Sequence, residues 1–164
     1  MRISIPILLL LLLFNSVGYA QNTAGAAQKS HFWFNAGLWT GISYPIWPNA
    51  ALSFSYQKVS NLVSARITEN AELFGDAIFD AGILYGRRLK GKKGFASIAG
   101  GISYVYFYSS GSGGNLHLFG IPIEVQLFST PLSFAGIGIY GYANLNLKQP
   151  VVGVLICLEI GKLR

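Results

Sequence analysis

Five ionisable residues fall on one parity of strand-like stretches that are otherwise apolar or small: Arg66, Asp80, Arg88, Glu124 and Glu159. Most have apolar neighbours on both sides, as Arg66 has in Ala65 and Ile67 and Glu159 has in Leu158 and Ile160. Successive side chains of a strand point to opposite faces, so all five share the face opposite the apolar one. Two guanidiniums and three carboxylates in an enclosed space can pair into a salt-bridged plug, line a gated conduction path, or supply an acid and a base. A charge in a narrow interior is costly without a partner, which favours the plug. Spacing alone does not separate the three.

Catalysis by nucleophile and base has little to draw on. His31 and His117 are the two histidines, and Ser109, Ser110 and Ser112 sit near His117 only in a glycine-serine loop. A nucleophile needs an oriented base, and no such pair is visible, so no catalytic residue is assigned and the chain does not read as an enzyme. One cysteine and two distant histidines make no metal site, and no cofactor is implied. Gly111, Gly113 and Gly114 lack phosphate-cradling spacing. The run Arg87, Arg88, Lys90, Lys92 and Lys93 holds five of the eleven cations that follow residue 20. Without a folded module of stacking aromatics it does not suit nucleic acid. Arg87, Lys90, Lys92 and Lys93 read instead as a basic turn against anionic lipid headgroups, or against lipopolysaccharide phosphates if the chain is oriented the other way.

These residues need strands to hold them, and the alternation supplies eight. The clearest is Val151–Leu163, where Val152, Val154, Ile156, Leu158 and Ile160 oppose Val151, Gly153, Leu155, Cys157, Glu159 and Gly161. Seven more candidates precede it: His31–Tyr44, Ala50–Gln57, Leu62–Glu69, Asp76–Arg88, Phe95–Tyr108, Leu116–Phe128 and Leu132–Asn146. Pro122 lacks a ladder donor, which predicts a bulge or a local break. Charged residues are 11% of the chain, where soluble domains run near 25%. No stretch after the N-terminal one reaches the roughly 18 apolar residues of a membrane helix. Residues 1–20 read as a signal peptide, with Arg2, an apolar run Ile3–Phe14 and small residues before Gln21; 21–30 is a flexible lead-in and 31–164 one domain. An exported, apolar, charge-poor chain of alternating strands predicts an all-β fold, an eight-stranded antiparallel up-and-down transmembrane barrel with a side-chain-filled lumen. Phe32, Phe34, Tyr44, Trp47, Phe54, Tyr56, Tyr85, Tyr104, Tyr106 and Tyr108 then form its aromatic girdles. With the termini periplasmic, 58–61, 89–94 and 129–131 are inner turns and 45–49, 70–75, 109–115 and 147–150 outer loops.

From Phe32 to Leu163 the pattern resembles the small eight-stranded outer-membrane barrels, the group of OmpX-type proteins and the membrane domain of OmpA. The ending Gly161-Lys162-Leu163-Arg164 departs from the aromatic ending usual in that group. The resemblance implies a bacterial outer-membrane location and a structural, adhesive or minor-solute role. Membrane lipids are then partners, with lipopolysaccharide or surface ligands beside them. Two other readings stay open: a soluble lipocalin- or avidin-like periplasmic barrel binding an apolar ligand, and a lipid A-modifying barrel enzyme. The first would bury Ile121, Ile139, Val154 and Ile156; the membrane barrel turns them outward.

Overall fold

Strict alternation of large apolar and small or polar residues gives each segment one face that cannot meet water and one that packs into a narrow space. A computed structural model describes residues 30–38, 42–44, 48–72, 75–111 and 114–163, with only the backbone at 42–44. The expected signal peptide 1–20 and nearly all of the lead-in 21–30 lie outside the described residues. Nine strands follow in order: β1 (Ser30–Leu38), β2 (Ile42–Tyr44), β3 (Asn49–Lys58), β4 (Asn61–Ala71), β5 (Ala77–Lys90), β6 (Gly94–Tyr108), β7 (Leu116–Ser129), β8 (Ala135–Leu145) and β9 (Val151–Lys162). Neighbours pair antiparallel in chain order, and β1 pairs with β9 as well as with β3, so the sheet closes. With β1 and β2 as a single wall, this is an eight-stranded up-and-down barrel. The large apolar side chains point out: Ile121 is 59% exposed, Ile139 50%, Val154 47% and Ile156 53%. The polar parity points in. Asn35, Ser53, Ser64, Arg66, Glu124 and Glu159 are all buried, which is the reverse of the burial a soluble barrel around an apolar ligand requires.

Three details depart from the alternation. The first wall is not one strand, because pairing with β9 shifts between β1 and β2. Ala36 faces Leu158 and Ile42 faces Val154, so five residues on one side span three on the other. β8 begins at Ala135, not Leu132; the segment before it bonds the end of β9 instead, with Gly161 N donating to Phe134 O (2.9 Å) and Leu163 N to Ser133 O (3.1 Å). Around Pro122 the β6–β7 ladder breaks without bulging. Gly100 pairs with Ile123 and Ser103 with Gly120, in one register, while the positions between are unpaired. Proline has no N–H to give the ladder there.

Short turns join β3–β4, β5–β6 and β7–β8 at the end that also carries Ser30 and Leu163, called here the near end. In the first of these turns Val59 has φ 63°, a left-handed conformation unfavourable for a β-branched residue. The connections β4–β5, β6–β7 and β8–β9 leave from the far end.

Candidate functional site

The middle of the lumen is organised by Arg66. Its ladder partner on β5 is Gly82, where a side chain would press on Ser103 and the Ile102 carbonyl of β6. Nη2 bonds Asp80 Oδ2 at 2.5 Å, and both side chains are shielded from solvent. Nη1 donates to the Ile123 carbonyl (3.1 Å) and Nη2 to that of Ala143 (3.2 Å), which are facing residues of β7 and β8. Arg66 thus ties β4 and β5 to the opposite wall. Its guanidinium also lies 5.6 Å from the Tyr142 ring, and Tyr142 Oη donates to Asn70 Oδ1 at 2.7 Å. Gly153 makes this possible, since any side chain there would collide with the Tyr142 ring.

A second tier lies toward the near end. Glu124 accepts from Tyr140 Oη and from Gln126 Nε2, each at 2.6 Å, and Gln126 Oε1 accepts from Trp33 Nε1 at 3.3 Å. This chain runs across β8, β7 and β1. Arg66 acts on Glu124 through its field. At the near mouth Arg88 donates to Gln57 Oε1 (2.7 Å) and to the Leu163 carbonyl (3.2 Å). Its guanidinium is 3.8 Å from the Phe95 centroid and 4.7 Å from Trp33, a cation held between aromatic faces. Glu159 is fully buried, with Arg88 the cation that acts on it, and neither carboxylate oxygen has a hydrogen-bond partner in the structure.

The five charges expected to form one network therefore divide into an Arg66–Asp80 ion pair, a hydrogen-bonded Glu124 and an Arg88–Glu159 mouth. Buried apolar side chains run along the lumen and reach both of its ends. Trp33, Phe95, Phe128 and Leu163 gather at the near mouth, and Ile78, Val105 and Val151 at the far one, with Phe107 and Leu118 packed against them. Beside Ile78 and Val105, Asn49, Thr68, Asn70 and Asp80 form a patch on β3–β5 in which each carries a polar atom without a protein partner. Such atoms are suited to internal water. The basic set lies elsewhere. Arg87 is half-buried on the outer face of β5, Lys90 ends that strand, and Lys92 and Lys93 are exposed in the turn.

No oriented nucleophile emerges among the described residues. His31 is buried at the near mouth. His117 is exposed on the outer wall, where its Nδ1 bonds Tyr104 Oη and its ring lies tilted against that of Tyr106, centroids 5.0 Å apart. No group of three His, Cys, Asp or Glu is placed to hold a metal among the described residues. Sequence reasoning missed the neutral partners that complete the tiers: Trp33, Gln57, Gln126, Tyr140 and Tyr142. Their signal was present, since all five sit on the same parity as the charges.

No family model and no curated protein matches the chain at the level of sequence. Solved structures do match. Neisserial surface protein A superposes with a TM-score of 0.60 at 8% identity, over 85% of this chain and all of that one. The N-terminal β-barrel domain of Pseudomonas aeruginosa OprF gives 0.63 at 10% identity, over 83% of this chain and 99% of that one. Ail, the attachment invasion locus protein of Yersinia pestis, gives 0.55 at 10%, also over 83% and 99%. At such identities the likeness is one of backbone, and what it establishes is that this chain has the fold of the small eight-stranded outer-membrane β-barrels.

Proposed function

We propose that the protein is an integral outer-membrane barrel with a closed interior, a rigid scaffold that presents its far-end loops at the cell surface and neither conducts solute nor catalyses a reaction. The observation that carries this is the inverted distribution of polarity. A wall of Ile, Leu, Val and Phe faces out while Arg66, Asp80, Glu124 and Glu159 are sealed inside. Only a surrounding hydrocarbon phase makes that arrangement favourable. Closure is supported by the apolar side chains buried along the lumen and by Arg66 spanning it. Attachment stands in the name of one structural neighbour, Ail, and presenting loops for contact is the use of this chain that a filled barrel leaves open. His117 paired to Tyr104, on a wall proposed to face lipid, supports an interfacial role for that histidine over a catalytic one.

The test is extraction and reconstitution. The protein should need detergent to stay in solution and should migrate differently on gels when unheated and when boiled. In planar bilayers it should show no stepwise conductance, and lipid A from producing and non-producing cells should have the same mass spectrum. Solubility without detergent overturns the location, regular conductance steps overturn the closed lumen, and altered lipid A overturns the non-catalytic reading.

A further inference from the structure

Closing the barrel pairs nearly every strand on both sides, and one stretch of edge is left over at the far end. Residues 116–120 of β7 pair with 103–107 of β6, whereas on its other side β7 meets β8 only from Ile121, opposite Leu145. Among the described residues this is the longest strand edge without a partner. Every second residue of such an edge points its N–H and C=O away from the sheet. Within hydrocarbon that arrangement is costly, so the stretch belongs past the apolar band, where the β6–β7 hairpin outreaches the end of β8.

The β8–β9 turn gives this edge a fixed floor. Asn146 Oδ1 accepts from Gln149 N (2.7 Å) and Lys148 N (3.2 Å), and Asn146 Nδ2 donates to the Gln149 carbonyl (2.6 Å). Leu147 is held fully exposed on that turn, with Lys148 exposed beside it. Between turn and edge lies a cleft of about 540 Å³, lined by Phe119, Gly120 and Ile121 of β7 and by Leu145 and Leu147. Open backbone and an apolar recess therefore stand side by side.

We infer that this edge binds an extended segment of another protein by strand addition, with an apolar side chain of the segment in the cleft and a carboxylate of the segment facing Lys148. This deepens the surface-scaffold reading above and rests on it. Donors and acceptors at strand spacing are matched by a polypeptide backbone, while the recess beside them selects a side chain. Lys148 is the one described cation at the far end, and Glu69, Glu72 and Asp76 stand on the β4–β5 side, so charge steers an acidic segment to this slot. A second copy suits it poorly. Copies in one membrane run β7 in the same direction, whereas an edge meets its own copy about a two-fold axis in antiparallel fashion.

The experiment uses the full-length mature protein in detergent, checked for heat-modifiable mobility and followed by amide NMR. The probe is a short synthetic peptide that alternates threonine and leucine and carries one glutamate. Two controls are the same peptide N-methylated at every second residue and a version with arginine for the glutamate. At up to about 1 mM probe, amides within 116–120 should shift and gain protection from exchange. N-methylation should weaken binding by roughly tenfold, as the loss of a pair of backbone hydrogen bonds predicts, and the arginine version should bind less well than the glutamate one. Leu147→Asp should weaken the probe to a similar extent, while Leu89→Asp, on the near-end wall, should leave it unchanged. No shift within 116–120, equal binding of the N-methylated or arginine peptide, or an unaffected Leu147→Asp overturns the site. Self-association through the same amides without peptide assigns the edge to a second copy and overturns it too. Specific binding in detergent with no labelling of intact cells by dye-tagged probe keeps the edge site and overturns surface presentation; a protein soluble without detergent overturns the membrane reading on which both stand.

Discussion

Arg66 shows how much one side chain can hold when every group around it is enclosed. Its guanidinium meets Asp80 and the carbonyls of two other strands, so removing it leaves a buried carboxylate and two carbonyls without their donor. Breaking a buried pair from one side costs about 3–5 kcal/mol. Arg66→Ala should therefore lower the urea midpoint in detergent markedly, and Asp80→Ala added to it should recover part of the loss, because the stranded charge goes too. A double variant no better than the single one would show that the carbonyl contacts matter more than the ion pair. Val59 is the opposite case, a residue that works against the fold. Its φ of 63° suits asparagine and is unfavourable for valine, and its side chain is exposed, so little packing is at stake. Val59→Asn should raise stability by about 1 kcal/mol in the same titration. A drop would mean that valine's packing outweighs its backbone strain.

At the level of the strand, parity was legible and register was not. A period of two assigns each side chain to wall or lumen from its neighbours alone, which is why Ile139 and Glu159 could be placed on opposite faces without coordinates. Which lumen residues meet is decided by the tilt and stagger of eight strands, and no local pattern records these. Arg66 reaches Ala143, 77 residues away, and Trp33 reaches Gln126, 93 away. The two-residue slip between β1 and β2 is invisible for the same reason. Pro122 is the exception, since a missing donor is a local property, and it marked the break in the β6–β7 ladder. That break has a measurable sign. Gly101 and Ile102 stay paired to Leu84 and Ile83 of β5, so whichever of the two points its amide at β7 should exchange with deuterium faster than the β6 amides beyond the break that point the same way. Uniform protection along β6 would show that the ladder closes there in solution.

The whole molecule is an inside-out protein built at minimal width: greasy on the surface and hydrogen-bonded within. Its circle is completed at a single seam, where Phe32 to Ala36 lie beside Leu158 to Lys162. Until β9 arrives, a chain emerging in order has a raw strand margin on each side, with the backbone groups of β1 and β8 open to any passing polypeptide. Partial products are thus sticky and gain none of the benefit of closure. Closure must then outpace, or be chaperoned against, mispairing, and a chain stalled one strand short has no half-closed form to fall back on.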